Sequence, residues 1–172
     1  QPDPTTDADV VTVMAGIRRQ LGTAVKKKTP VLRDDLKRMV NKLPPGLTGT
    51  RDRALLLVGW AGAFRRSELV ALDIADVRAV GNSKYTITLR RSKTDQEGKG
   101  LVKTLVALDD AALCPVRALR AWLTASGLQS GALFRKIDRH GYVHDRLSDR
   151  SVALIVKRSA QRAGLDDVNL AG

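Results

Sequence analysis

Aromatic residues make up only 3% of this chain. Binding of single-stranded nucleic acid by base stacking needs aromatic platforms, so that mode is excluded as a principal one. Cysteine is scarcer still. Cys114 stands alone, which rules out an internal disulfide and a zinc site built from cysteines, and suits a reducing cytoplasm. The only histidines, His140 and His144, share one loop without a third ligand type placed to join them, so no metal site is expected. No apolar run reaches the roughly 18 to 20 residues of a membrane span. The opening stretch QPDPTTDADV lacks the basic-then-apolar order of a signal peptide and reads as a domain edge. There is no internal repeat and no Walker-type glycine loop.

What the chain has in excess is positive charge. Thirty Lys and Arg against 18 Asp and Glu leave a net charge of +12 and a pI near 10.4. Such an imbalance points to a polyanionic partner, nucleic acid first. A soluble protein whose charge is incidental is the alternative. With 172 residues, 43% of them apolar, the chain suits one domain, or one domain with a fragment of another, and can bury a core.

Periodicity sets out the elements. Val10, Val13, Met14, Ile17 and Leu21 predict an amphipathic helix over residues 6–21, closed by Gly22. The basic, proline-closed TAVKKKTP then reads as a linker. A helix over about 33–43 presents Leu36, Met39, Val40 and Leu43 and stops at Pro44-Pro45-Gly46. The next, about 50–62, is apolar on nearly every side, which marks it as central. Ser67 is placed to cap a short helix ending at Leu72, with Glu68 in its first turn. KYTITLR alternates as a strand, with Tyr85, Ile87 and Leu89 on one side. LVKTLVAL (101–108) and a segment near 77–80 complete a small antiparallel sheet with a basic hairpin, RRSKTDQEGKG. Pro115 opens a helix that Gly127 closes. Residues 131–146 read as irregular, and Ser148 caps a last helix to Ala163, with Val152, Ile155, Val156, Ser159 and Ala163 on one face. The expected fold class is mainly α with a small three-stranded antiparallel sheet.

Two places carry candidate chemistry. In AGAFRRSEL a buried helix ends at Arg65 with Glu68 three residues on. A guanidinium is planar, permanently charged and forked, matching two oxygens of one phosphate. Held rigidly, it stabilises the charge that grows on a pentacoordinate phosphorus more than it stabilises the ground state. An ordinary Arg–Glu pair at a helix start accounts for the same spacing. Lys93 sits in the polar hairpin among cations running from Arg90 to Lys99. Near a phosphate, such a lysine can protonate a departing sugar oxygen; a solvated turn lysine is the other reading.

The two stretches together resemble a known family. GAFRRSELVALDIADV resembles the first catalytic-arginine segment of the tyrosine recombinases, the phage integrase family. RRSKTDQEGKG resembles that family's lysine-bearing β-hairpin, and CPVRALRAWL and LSDRSVALIVKRSAQRAGL are similar to the helices that follow it. The resemblance runs from about residue 30 to the last residue. It implies site-specific DNA recombination or integration by phosphodiester breaking and rejoining, through a tyrosine that forms a 3′-phosphotyrosyl link. It implies no metal and no other cofactor, no small-molecule substrate and no membrane partner. The implied partner is double-stranded DNA, on which the full-length protein is a homo-oligomer, in a bacterial cytoplasm at the nucleoid. Arg65 matches the arginine that clamps the scissile phosphate, Lys93 the lysine that serves the 5′-oxygen leaving group, and Glu68 an acidic position that props the arginine. Residues 1–22 match the end of an N-terminal core-binding domain, 23–30 a basic linker, and 31–172 the N-terminal part of the catalytic domain.

The sequence departs from the family pattern in one respect. His-x-x-Arg, the later His or Trp and the nucleophilic tyrosine have no match in it. The only tyrosines are Tyr85, in a strand, and Tyr142, between His140 and His144, and neither stands where the family's nucleophile does. The expectation is an incomplete catalytic domain that keeps DNA contacts through Arg65, Arg66, Arg91, Lys93, Arg150, Lys157 and Arg158 and does not cleave. A non-catalytic DNA-binding module, a degenerate recombinase acting as a regulator or accessory factor, is the alternative.

Overall fold

A computed structural model describes residues 7–21, 31–90 and 100–165. Its centre is α3 (Leu47–Ala61), in which Ala54, Leu55, Leu56, Leu57 and Val58 are all buried. An all-round apolar helix has to be covered on several sides. The main cover is α5 (Pro115–Ser126), which contributes Val116, Leu119 and Trp122. Proline at the first position opens α5, and Gly127, at φ 63°, closes it in the left-handed conformation that glycine adopts most readily. α2 (Arg33–Asn41) adds Leu36, Met39 and Val40 to the same core. α6 (Asp149–Arg162), capped by Ser148 Oγ accepting from Ser151 N, packs on α2 and on the short α4 (Arg66–Ala71). Val152, Ile155 and Ser159 line its buried face, as their spacing predicts.

A 3-10 turn, Ile74–Asp76, leads into a three-stranded antiparallel sheet of β1 (Val77–Val80), β2 (Lys84–Leu89) and β3 (Leu101–Val106), in that order. Along β2 the residues Tyr85, Ile87 and Leu89 point into the core. The β2–β3 register runs from Lys84 opposite Val106 to Leu89 opposite Leu101.

Three details differ from the sequence reading. Residues 131–146 contain a second antiparallel pair, β4 (Arg135–Ile137) with β5 (Val143–Arg146). It is tied down by a side chain: Arg146 Nη1 donates to Val70 O and Leu72 O, and Nη2 pairs with Asp73 at 2.6 Å. The short helix starts two residues earlier than a Ser67 cap would place it, with Arg65 in the capping position. α1 (Ala8–Leu21) forms, but Val10, Val13, Met14 and Ile17, its apolar stripe, are 42–60% exposed, whereas the core helices bury theirs.

Candidate functional site

The site begins where α3 ends. Gly62 N donates to Val58 O and Phe64 N to Gly59 O, which folds Phe64 back over the turn. A Cβ on residue 62 would lie 2.2 Å from the Phe64 ring, so this close approach requires glycine. Ala63 takes a left-handed φ of 45°. The chain leaves the turn extended at Arg65 (φ −68°, ψ 154°) and enters α4.

Glu68 explains that start. Its Oε2 accepts the Arg65 backbone N–H at 2.9 Å, and its Oε1 accepts Arg65 Nη1 at 3.0 Å. The first contact is the return half of a capping box; arginine has no acceptor with which to supply the other half. One carboxylate therefore fixes both the backbone and the head of the same arginine. Glu68 is 7% exposed and the Arg65 side chain 52%, so the anchor is inside and the guanidinium faces out. Lys103 of β3 reinforces the turn from the other side. Its Nζ donates to Gly62 O at 2.7 Å and Ala63 O at 3.1 Å, sits 4.4 Å from the Phe64 ring centre, and lies 3.9 Å from Glu68 Oε2.

Arg65 opens onto a cleft of about 390 Å³ with Ser67, Glu68, Asp76, Thr88 and Arg90 in its walls. Arg90, at the end of β2, pairs through Nε with Asp76 Oδ1 at 2.6 Å. Asp76 Oδ2 in turn accepts the Asp73 N–H at 2.9 Å.

The other sequence-derived residues are distributed as follows. Arg66 is half-buried and lines a separate, largely apolar groove of about 380 Å³ that includes Leu36, Trp60, Phe64 and Val156. Arg150, Lys157 and Arg158 are exposed on α6, and none lines the Arg65 cleft. Lys93 and Arg91 lie outside the described residues. Tyr85 is 7% exposed within the core. Tyr142 is exposed on the β4–β5 hairpin, where Asp138 organises the loop. The Asp138 carboxylate accepts from His140 N, Tyr142 N and His144 Nε2, each within 3.0 Å. These bonds, the His144 contact foremost, hold its carboxyl below the usual range. Among the described residues no group of three His, Cys, Asp or Glu is placed to hold a metal ion, and no helix is long and apolar enough to cross a membrane.

Three side-chain roles were missed in the sequence. Arg90 with Asp76 and Lys103 with the 62–63 carbonyls are contacts made by tertiary folding, without a local spacing to betray them. The third is a buried pair in α3: Arg51 meets Asp52 at 2.6 Å and also donates to Arg135 O, bracing β4. Burial pushes the Asp52 carboxyl up, opposed by the Arg51 charge.

Comparison with known proteins agrees with this architecture. A family profile described as the phage integrase family matches residues 31–170. An integrase/recombinase xerD homolog from Selenomonas ruminantium is 39% identical over 172 residues, covering 99% of this chain and 50% of the relative. A tyrosine recombinase of Synechocystis sp. is 32% identical over 127 residues, 73% of this chain and 36% of the relative. The chain thus spans about half the length of the first of these and less of the second. The crystal structure of XerA recombinase superposes with a TM-score of 0.56 at 18% identity, over 95% of this chain and 55% of that one. At that identity the likeness speaks to the fold: a mainly helical domain with a three-stranded antiparallel sheet, like a recombinase catalytic domain.

Proposed function

Because this chain belongs to the phage integrase family, we propose that it acts in site-specific DNA recombination or integration, and that the Arg65 cleft receives a phosphodiester of duplex DNA. The observation that carries this reading is the pairing of an outward guanidinium with a buried carboxylate, Arg65 with Glu68 at 3.0 Å. Such an arm is pre-organised: its orientation is set before the phosphate arrives, so little ordering remains to be done on binding. In this reading Arg65 holds the nonbridging oxygens, Glu68 positions Arg65, and Lys93 delivers a proton to the 5′-oxygen leaving group. No metal or nucleotide is called for. Arg66, Arg91, Arg150, Lys157 and Arg158 contribute backbone contacts, which fix register without reading sequence. Residues 1–22 close a core-binding domain, 23–30 link it, and 31–172 form catalytic-domain structure; a family match that starts at residue 31 supports that division. The full-length protein works as a homo-oligomer on DNA, in the bacterial cytoplasm at the nucleoid.

We infer further that a polypeptide of these 172 residues binds duplex without cutting it. Of its two tyrosines, Tyr85 is buried in the core, and Tyr142, exposed on the Asp138 hairpin, does not line the Arg65 cleft. The test is duplex binding across a salt series, with Arg65→Ala set against Arg18→Ala, which removes the same charge from α1. Loss of a phosphate contact weakens binding about tenfold and reduces the salt slope by about 0.9; equal effects of the two variants reject the phosphate role of Arg65. A denaturant-stable protein–DNA adduct that vanishes in Tyr142→Phe rejects the claim that the 172 residues do not cleave.

A further inference from the structure

The cleft carries the same device twice. On one side Glu68, 7% exposed, holds the outward Arg65; on the other Asp76, 6% exposed, holds Arg90, whose side chain is 63% exposed. Each carboxylate spends its second oxygen on a backbone N–H three residues earlier, Glu68 on Arg65 and Asp76 on Asp73. Both anchors are therefore fixed by the main chain, and both guanidiniums line one opening. We propose that Arg90 is a second phosphate-binding arm of this cleft, taking the DNA phosphodiester next to the one at Arg65. This rests on the reading of Arg65 given above.

The alternative for Arg90 is that it merely neutralises Asp76. Its geometry argues otherwise. A guanidinium serving only a buried carboxylate gains most by lying over it and leaving water, as Arg51 does on Asp52, with both partners 7% exposed. Arg90 instead touches Asp76 through Nε, one of five N–H donors, and stays largely in solvent. The arm is attached at its elbow, with the end of the fork outward. Charge favours an anion here as well. Arg65 and Arg90 stand out into solvent at this opening while Glu68 and Asp76, which hold them, are buried, so an incoming anion meets positive charge first. Arg65 enters from the start of α4 and Arg90 from the end of β2, so two elements grip one strand, which fixes its direction across the cleft.

The experiment is binding of a fluorescent mixed-sequence duplex to the 172-residue chain, followed by anisotropy across a salt series. Arg90→Ala is expected to weaken binding about tenfold and to lower the salt slope by about 0.9. Arg90→Lys keeps the charge and restores the slope, but recovers only part of the affinity, because the fork is lost. Asp76→Asn decides between an arm and a mere counter-charge. It adds one positive charge to the protein, so bulk electrostatics alone makes binding tighter; an arm that needs its anchor makes it weaker. Tighter binding by Asp76→Asn, or an Arg90→Ala effect no larger than that of Arg18→Ala, overturns the proposal. A melting curve for each variant identifies misfolding, and the surface variant Arg90→Lys still tests the arm where Asp76→Asn does not fold: full wild-type affinity in Arg90→Lys rejects a role for the fork. If Arg65→Ala weakens binding and Arg90→Ala does not, the second arm alone fails. If Arg65→Ala is silent, the reading of the cleft fails with it.

Discussion

Lys103 Nζ lies 2.7 Å from Gly62 O, so the middle of β3 is fastened to the turn that delivers Arg65. The same ammonium also reaches Ala63 O, the Phe64 ring and the edge of Glu68. Lys103→Met keeps the apolar stem and removes the donors, leaving the partly buried Gly62 carbonyl without this partner. The expected loss is about 1–3 kcal/mol, seen as a lower urea midpoint at unchanged m-value. An unchanged midpoint would mean that the turn holds its shape without the lysine.

Ala63 is the only non-glycine among the described residues with positive φ, at 45°. The left-handed region costs an L residue about 1–2 kcal/mol, whereas glycine gives up roughly 0.5–1 kcal/mol in chain entropy relative to alanine. The two terms nearly cancel, with strain slightly ahead. Ala63→Gly is therefore expected to be neutral or stabilising by up to about 1 kcal/mol. Ala63→Val, β-branched and poorly suited to this backbone, is expected to lose more than about 1 kcal/mol. Urea titration of both variants checks the order; a glycine variant less stable than the valine one would contradict it.

How far the sequence spoke for the structure follows from what holds each part together. α3, α5 and α6 announce themselves because apolar spacing and end signals agree: Pro115 and Gly127 bracket α5, and Ser148 and Gly164 bracket α6. β2 is visible through its alternation. β4 and β5 are not, because strands of three and four residues, mostly charged, owe their place to Arg146 reaching back to Val70, Leu72 and Asp73. The site divides the same way. Arg65 and Glu68 are three residues apart and legible as a pair. Ser67 looked like the cap because it is the usual residue type, but Glu68 serves the Arg65 N–H instead. Arg90 and Asp76 are fourteen residues apart, and only the turn into the sheet brings them together. Lys103 shares the inward face of β3 with Leu105 and stands opposite the buried Ile87, and its carbonyl partners lie about forty residues away in the chain. Lys93 lies outside the described residues, so its role stands on the resemblance alone.

Trp122 Nε1 donates to Leu133 O at 2.8 Å, and both residues are fully buried. The bond pins the end of α5 to the segment that leads into β4. Trp122→Phe removes the donor, strands a carbonyl away from water and leaves unfilled volume beside α3. The combined loss is expected to be about 2–4 kcal/mol, large against the roughly 5–15 kcal/mol typical of a domain. Thermal melts measure it directly. A loss under about 0.5 kcal/mol would show that the site relaxes or admits water.

Acid removes stability from the β4–β5 hairpin through Asp138. Asp138 is held below the ordinary carboxylate range, chiefly by His144 and then by the N–H groups of Tyr142 and His140. A lowered folded-state pKa means that the unfolded chain takes up the proton first. Stability from this group is present above the unfolded pKa and is lost as pH falls through the folded one. Asp52, raised by burial, has the opposite sign: its native state keeps the proton longer, so its contribution falls as pH rises through its own window. Asp138→Asn should therefore flatten the acid limb of a plot of Tm against pH, with the two curves closing as acidity increases. Curves that run parallel across the whole carboxylate range would show that the His144 contact, at 2.8 Å, contributes nothing to folding.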